Sequence, residues 1–179
     1  YVWSKDTDTR MNLAFKKELA DSRKDWLYSY NPQKIIEGDE IEIPIERFVD
    51  NELIHFSNSD TLRSIGSVFD GLKPSQRKIL YCAFKRKLFD EIRVAQLAGY
   101  VSENAAYHHG EASLHGTIIN MAQTYVGSNN INLLQPNGQF GTRIMGGNDA
   151  ASPRYIHTEL NPIITYIYKE VDFPLYDYI

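Results

Sequence analysis

Cysteine is almost missing from this sequence: Cys82 is the single one in 179 residues. One thiol closes no internal disulfide and builds no cysteine-rich zinc site, so disulfide-stapled scaffolds and zinc fingers are excluded and a reducing compartment is favoured. Long apolar runs are also lacking. Spanning a bilayer takes about 20 consecutive apolar residues, and the first thirty positions are studded with Lys, Asp and Arg, so neither a signal peptide nor a membrane span is expected. There is no Gly-Lys-Ser/Thr ending of a Walker loop, no His-Glu-x-x-His pair, no internal repeat and no low-complexity tract. The chain opens on Tyr1 without a Met and closes at Ile179 just after Phe173-Pro174, which reads as a piece of something longer.

What is present describes a globular chain of one domain, or one domain plus part of another. Its residues are 42% hydrophobic, 12% aromatic and 23% charged, and the length is sufficient for a core. A net charge of −4 and a pI near 5.7 argue at first against a nucleic-acid partner. The charge is unevenly distributed, however. Residues 1–60 carry 8 basic and 13 acidic side chains, 61–158 carry 10 and 6, and 159–179 carry 1 and 4. A basic middle lies between acidic flanks.

From Thr9 to Tyr30 the apolar spacing predicts one helix, ending before Pro32. Gly38 to Arg47 alternates Ile41, Ile43 and Ile45 with polar residues, which predicts a short strand, confined to a sheet edge by Pro44. The shift in charge and the Asn58-Ser59-Asp60 punctuation place a boundary near residue 60. Helices are then predicted at Thr61–Phe69, from Pro74 through Phe84, at Ile92–Ser102 and from Glu111, the last carrying Leu114, Ile118, Met121, Ala122 and Val126. The two later helices and the tight turn between them outline a helix-turn-helix, and the Gly- and Asn-rich stretch after Gly127, with its short apolar runs, would form a β wing. Leu160 to Tyr168 is expected to return to helix.

Several side-chain groupings could carry chemistry. Gly71 to Leu88 holds Lys73, Arg77, Lys78, Lys85, Arg86 and Lys87 and no acid, a positive flank suited to a phosphate backbone; the plainer alternative is a solvated face with extended aliphatic stems. Lys73 just ahead of a Pro-initiated helix adds free N–H groups and a favourable dipole for anions. Tyr107-His108-His109-Gly110-Glu111 opens the second helix of the pair, with Ser113 and His115 following; histidines there can donate to phosphate, while a metal would need more ligands than the sequence supplies. Gly138 to Gly147 lacks both nucleotide-loop signatures, so its glycines mark turns and close backbone approach. Among twelve tyrosines, Tyr155 is set apart by its place in Ser152-Pro153-Arg154-Tyr155 after a loop of small residues. An ordinary phenol is only ~0.1% ionised near neutrality, so attack on phosphorus needs proton removal and stabilised oxyanion charge, and the adjacent Arg154 can supply the second.

The run Asp70 to Lys78 (DGLKPSQRK), followed in order by VAQLAGYVSE, YHHGEASL, GSNNINLLQPNGQFGTR and NDAASPRYI, resembles the breakage-reunion core of type IIA DNA topoisomerases of the eukaryotic topoisomerase II branch. The likeness covers roughly residues 50–165, and Leu13 to Leu27 resembles the end of that family's metal-binding TOPRIM domain. It implies a mainly α fold with a small β wing: a winged-helix, CAP-like domain preceded by the helical tail of a TOPRIM domain. The segments would be a TOPRIM tail at 1–31, a connector with a short edge strand at 32–60, a winged-helix domain with the catalytic tyrosine at 61–160, and the start of a tower domain at 161–179.

The implied reaction is reversible transesterification, in which a tyrosine makes a 5′-phosphotyrosyl link and frees a 3′-hydroxyl while a second duplex passes through the break. The resemblance puts the nucleophile at Tyr155, the transition-state arginine at Arg154, and His109 with His108 near the scissile phosphate. Arg63, Lys73, Arg77, Tyr107 and Ser113 match positions that hold DNA backbone, and Arg23 with Lys24 matches a basic pair of the TOPRIM tail. It further implies double-stranded DNA as substrate, a homodimer, no membrane, and an intracellular site, nuclear in a eukaryote. Mg²⁺ would be held by acidic ligands upstream of Tyr1 and ATP by an absent ATPase domain, so the piece alone is expected to bind DNA weakly and to cut it poorly. Gly66 departs from the family's usual Pro and would loosen the first helix of the winged-helix domain. The rival from another class is a non-enzymatic winged-helix DNA-binding regulator in which Tyr155 is structural.

Overall fold

The computed structural model describes residues 1–38, 40–107 and 109–176. It divides into two compact units, Tyr1–Lys73 and Pro74–Ile179.

In the first unit, the helix predicted across Thr9–Tyr30 is broken. Helix α1 spans Thr7–Phe15, a 3₁₀ turn spans Lys17–Leu19, and α2 spans Ala20–Tyr28. Lys16 is extended at the break, with φ −76° and ψ 128°. The guanidinium of Arg23 accounts for the interruption: its Nε donates to Leu13 O at 3.0 Å and its Nη2 to Lys16 O at 2.6 Å, so carbonyls stranded at the end of α1 find a partner.

The edge strand predicted at Gly38–Arg47 is reduced to one bridge, in which Val2 N–H donates to Ile43 O and Ile45 N–H donates to Val2 O. Those bonds straddle Pro44, which has no N–H to extend a ladder. Helix α3 (Ile45–Phe48) begins immediately after it and continues through a π turn at Val49–Leu53 into α4 (Ile54–Ser64). Residue 60 lies inside α4. Thr61 Oγ1 donates to Ser57 O at 2.8 Å, which keeps this polar stretch helical. Helix α4 ends before Gly66, so the expected first helix at Thr61–Phe69 is displaced toward the N-terminus and Gly66 loosens no helix. A Cβ at Gly66 would lie 2.4 Å from Gly71 O, because the loop folds back on itself. The core of this unit is Trp26, Val49 and Ile54, flanked by Leu13, Leu27, Ile45 and Phe48.

The second unit is built on three helices, α5 (Pro74–Lys85), α6 (Val94–Asn104) and α7 (Glu111–Ala122), which pack on one another. Each buries the stripe read from its sequence: Ile79 and Ala83 on α5, Val94, Leu97, Ala98 and Val101 on α6, and Leu114, Ile118 and Ala122 on α7 are fully enclosed. Val126 does not join them, since α7 stops at Ala122 and leaves it in solvent. Burial pushes the Cys82 thiol up to about 11, so it stays protonated and unreactive at neutral pH.

Strand β1 (Ile92–Arg93) pairs antiparallel with β2 (His157–Thr158), setting Ile92 opposite Thr158 and Arg93 opposite His157. Single bridges at Leu134–Leu160 and Asn137–His157 are the other pairings among the described residues of this unit. The wing is thus mostly turns held by side-chain amides. Asn129 Nδ2 donates to Asn120 O and Gln123 O, Asn132 Nδ2 to Leu134 O, and Asn161 Nδ2 to Asn132 O. Beyond the wing, among the described residues, α8 (Ile164–Ile167) is followed by a 3₁₀ turn at Glu170–Leu175 whose Phe173 ring meets Phe84 of α5 edge-on at 5.0 Å, so the helix expected at Leu160–Tyr168 is shorter.

Candidate functional site

Tyr155 ends a turn that begins near Ser152, whose carbonyl accepts from Tyr155 N–H at 2.9 Å. The start of α6 secures this turn. Ala95 N–H donates to Pro153 O and Val94 N–H to Ile156 O, both at 3.0 Å, so amides that a helix N-terminus leaves unpaired hold the tyrosine loop. The next side chain, Ile156, is buried in the core, and burial alternates along the segment. Tyr155 is driven outward and is 78% exposed.

The groove beside it is lined by Arg93, Ala95, Arg154, Tyr155 and His157. Of the expected catalytic residues, Tyr155 and Arg154 come together there. Arg93 and His157 belong to the same groove and were not singled out by the sequence, because their proximity depends on the β1–β2 register. Two guanidiniums, an imidazole and a phenol around an open groove offer hydrogen-bond donors to an anion beside an exposed hydroxyl.

The loop that precedes Tyr155 is rigid for reasons the glycines explain. Gly141 and Gly147 touch through their backbones, where a Cβ on Gly141 would sit 2.6 Å from Gly147 Cα. Asp149 accepts from Thr142 N–H at 2.7 Å and Thr142 Oγ1 at 2.8 Å, and the backbone bond, chief among these effects, holds its carboxyl below the usual range. That contribution is complete above the ordinary carboxylate range and disappears only as pH falls through the lowered value. The clamp therefore persists at neutral pH.

Gly138 has φ +128°, and a Cβ there would stand 2.8 Å from Ile156 Cγ2, directly behind the tyrosine. Gly138→Ala is expected to cost about 1–3 kcal/mol in strain and overpacking, read as a lower denaturant midpoint of unfolding. An unchanged midpoint would show that the loop accommodates a side chain against Ile156.

His109 is not among the groove's lining residues. It stands edge-on to the Tyr107 ring at 5.6 Å, and Tyr107 Oη donates to Ser113 Oγ at 3.0 Å, so these three expected contacts form a second cluster at the mouth of α7. His108 lies outside the described residues. Arg77 is exposed on the first turns of α5, while Lys73 is the exposed residue preceding Pro74.

The remainder of the basic run is largely structural. Lys78 Nζ donates to Ala106 O at 2.9 Å, Lys85 Nζ to Asn104 Oδ1 at 3.1 Å, and Arg86 lies over the Tyr100 ring at 5.4 Å. These three fasten α5 to α6 and its following turn. In the first unit Arg23 caps α1, Lys24 pairs with Asp21 at 2.7 Å and Arg63 with Asp60 at 2.8 Å. Both pairs are exposed and three residues apart, so a stronger anion can displace the carboxylate at little cost. Arg23 is bound to its own backbone.

Among the described residues no group of three or more His, Cys, Asp or Glu side chains comes together to hold a metal ion. The residues present do not fit Mg²⁺, and no step assigned to this chain passes through it. No described helix is long and apolar enough to cross a membrane.

Comparison with known proteins gives consistent matches. The family of the A-type subunit of DNA gyrase/topoisomerase IV matches residues 63–179, and the C-terminal associated domain of TOPRIM matches residues 1–61. DNA topoisomerase 2 of Saccharomyces cerevisiae is 57% identical over 169 residues, covering 94% of this chain and 12% of the yeast protein. A mitochondrial DNA topoisomerase 2 of Dictyostelium discoideum is 49% identical over 179 residues, covering 100% of this chain and 14% of its own length. The crystal structure of the Plasmodium falciparum topoisomerase II DNA-binding, cleavage and re-ligation domain superposes with a TM-score of 0.79 at 48% identity, over 99% of this chain and 24% of that one. The chain thus spans about an eighth of the curated relatives it matches. With an ordered match over almost all of its residues and the same fold at high identity, the chain belongs to the type IIA DNA topoisomerases, on the branch of the eukaryotic DNA topoisomerase 2 proteins.

Proposed function

We propose that this chain is the tyrosine-bearing module with which a homodimeric type II topoisomerase cuts and reseals duplex DNA, and that Tyr155 is the nucleophile. The observation that carries this reading is the exposure of Tyr155 in a groove with the guanidiniums of Arg154 and Arg93, on a loop tied to α6 and backed by buried Ile156.

The chemistry follows from those groups. The phenol loses its proton, its oxygen bonds to phosphorus, and the P–O3′ bond breaks; the departing oxygen takes up a proton as the 3′-hydroxyl. Arg154 faces the oxyanion charge that builds on the phosphoryl oxygens. Because the phosphoester is kept as a tyrosyl ester of similar energy, the 3′-hydroxyl can reverse the step without an external energy source.

Lys73, Arg77, Tyr107, His109 and Ser113, with His108, would contact DNA backbone, as would Arg63, Lys24 and Arg23. Of these, Arg23 is the weakest candidate, since its donors already bind Leu13 and Lys16. Mg²⁺ and ATP use fit the family; both would be bound by segments of the full-length protein outside this chain, which would work in an intracellular compartment that holds DNA, the nucleus in the eukaryotic case. A sequence-reading regulator would gain nothing from an exposed phenol flanked by two arginines.

The test is to incubate the full-length protein with 5′-labelled duplex and Mg²⁺, denature rapidly, and digest the trapped adduct for mass spectrometry. A 5′-phosphoryl group on the peptide bearing Tyr155 is the expected result. Absence of any adduct, or its attachment to another residue, would overturn the proposal.

A further inference from the structure

We propose that Arg93 is a second catalytic cation, gripping from β1 the same phosphodiester that Arg154 grips from the tyrosine loop. The proposal rests on the assignment of Tyr155 as nucleophile. It starts from the strand pairing, in which Arg93 lies directly opposite His157. Opposed residues of an antiparallel pair have Cβ atoms about 5 Å apart, and His157 lines the same groove as Tyr155. Arg93 is thereby delivered to the tyrosine side of β2, and it lines the groove with Arg154, Tyr155 and His157.

The surroundings leave its charge available. Glu91, the nearest acid in sequence, accepts from Asn137 Nδ2 at 3.0 Å. Gln96 reaches back to the Arg93 backbone N–H at 3.3 Å and so fixes the main chain without occupying the guanidinium. Among the described residues neither the Arg93 nor the Arg154 guanidinium forms an ion pair with a carboxylate, and both line the groove. Lys78, Lys85 and Arg86 of the same unit, by contrast, face groups of the chain itself.

A single arginine presents a planar fork to two phosphoryl oxygens. Attack by Tyr155 spreads charge over both non-bridging oxygens, and one fork approaching from the loop leaves the opposite side of the phosphorus open to water. A second fork carried on a paired strand closes that side. Its position is fixed by the main-chain pairing of β1 with β2, which is the preorganisation that makes such a cation effective.

The experiment compares Arg93→Gln and Arg93→Lys with the unmodified full-length protein under single-turnover conditions at saturating DNA, on two substrates. One has a normal scissile phosphodiester, and the other a methylphosphonate there, which lacks the negative charge. On the normal substrate Arg93→Gln is expected to slow adduct formation about 10- to 100-fold, with DNA affinity at fixed salt changed less than ~3-fold and Arg93→Lys recovering part of the rate. On methylphosphonate the penalty should shrink to near unity, which a merely structural arginine would not produce.

An unchanged rate, or an equal penalty on both substrates, would overturn the proposal. So would a loss confined to affinity and its salt slope, which would make Arg93 an ordinary backbone contact. Tyr155→Phe in the same assay separates the two assignments: an adduct that survives it refutes the nucleophile, whereas an adduct that vanishes while Arg93→Gln has no effect refutes only the second cation.

Discussion

Tyr155→Phe is expected to abolish the covalent protein–DNA adduct entirely, a loss of at least ~10⁴-fold that leaves only the assay background. The substitution removes one oxygen and little else. The Tyr155 side chain is exposed and its hydroxyl has no partner among the described residues, so neither a packing defect nor a stranded donor follows from its removal. The turn is held through backbone atoms of Ser152, Pro153 and Ile156, none of which changes. Thermal unfolding should therefore stay within about 0.5 kcal/mol of the parent, and DNA affinity should be unaltered. A stable variant that binds DNA and forms no adduct identifies the nucleophile. If adduct persists, another of the twelve tyrosines carries the chemistry and the exposed groove is only a binding feature.

The parts of this site that were legible in the sequence are those whose meaning is local. Arg154 and Tyr155 are adjacent, the loop before them is small and glycine-rich, and the helices that support them announce themselves through regular apolar spacing, as in Val94, Leu97, Ala98 and Val101. Arg93 and His157 were illegible because nothing in either segment states that two-residue strands far apart in sequence will pair, or in which register.

The same reasoning explains the errors in the first unit. The helix expected to run unbroken through Lys16 is interrupted there, because the Arg23 side chain folds back onto the carbonyls of Leu13 and Lys16, a contact that no local pattern announces. The alternation around Pro44 has the period of a strand, but a residue without an N–H admits one bridge and no ladder. Polar Asn58, Ser59 and Asp60 lie on a continuous helix, while the two family matches end at residue 61 and begin at residue 63, beside the boundary read from the sequence. Pattern reveals which face is buried; it does not reveal which long side chains will find a partner within the chain.

Arg154→Ala is expected to lower the rate of adduct formation by about 10²- to 10³-fold, the usual effect of removing one preorganised donor from a developing oxyanion. Binding should change far less, because the duplex is gripped along many phosphates and a single contact alters its salt slope by about one. The predicted signature is therefore a fall in single-turnover rate at saturating DNA with nearly constant affinity. Religation should slow by a similar factor, since forward and reverse steps share one transition state, and the fraction of DNA held as adduct should consequently move much less than either rate. Arg154→Lys restores the charge without the planar fork, so partial recovery is expected. Coupling to Arg93 gives the sharpest measurement: if both arginines hold one phosphodiester, the effects of Arg93→Gln and Arg154→Ala should not multiply in the double variant, since losing either fork lets the phosphoryl group shift away from the other. Independent, multiplicative losses would place the two guanidiniums on different phosphates, and a fall in affinity as large as the fall in rate would remove Arg154 from the transition state altogether.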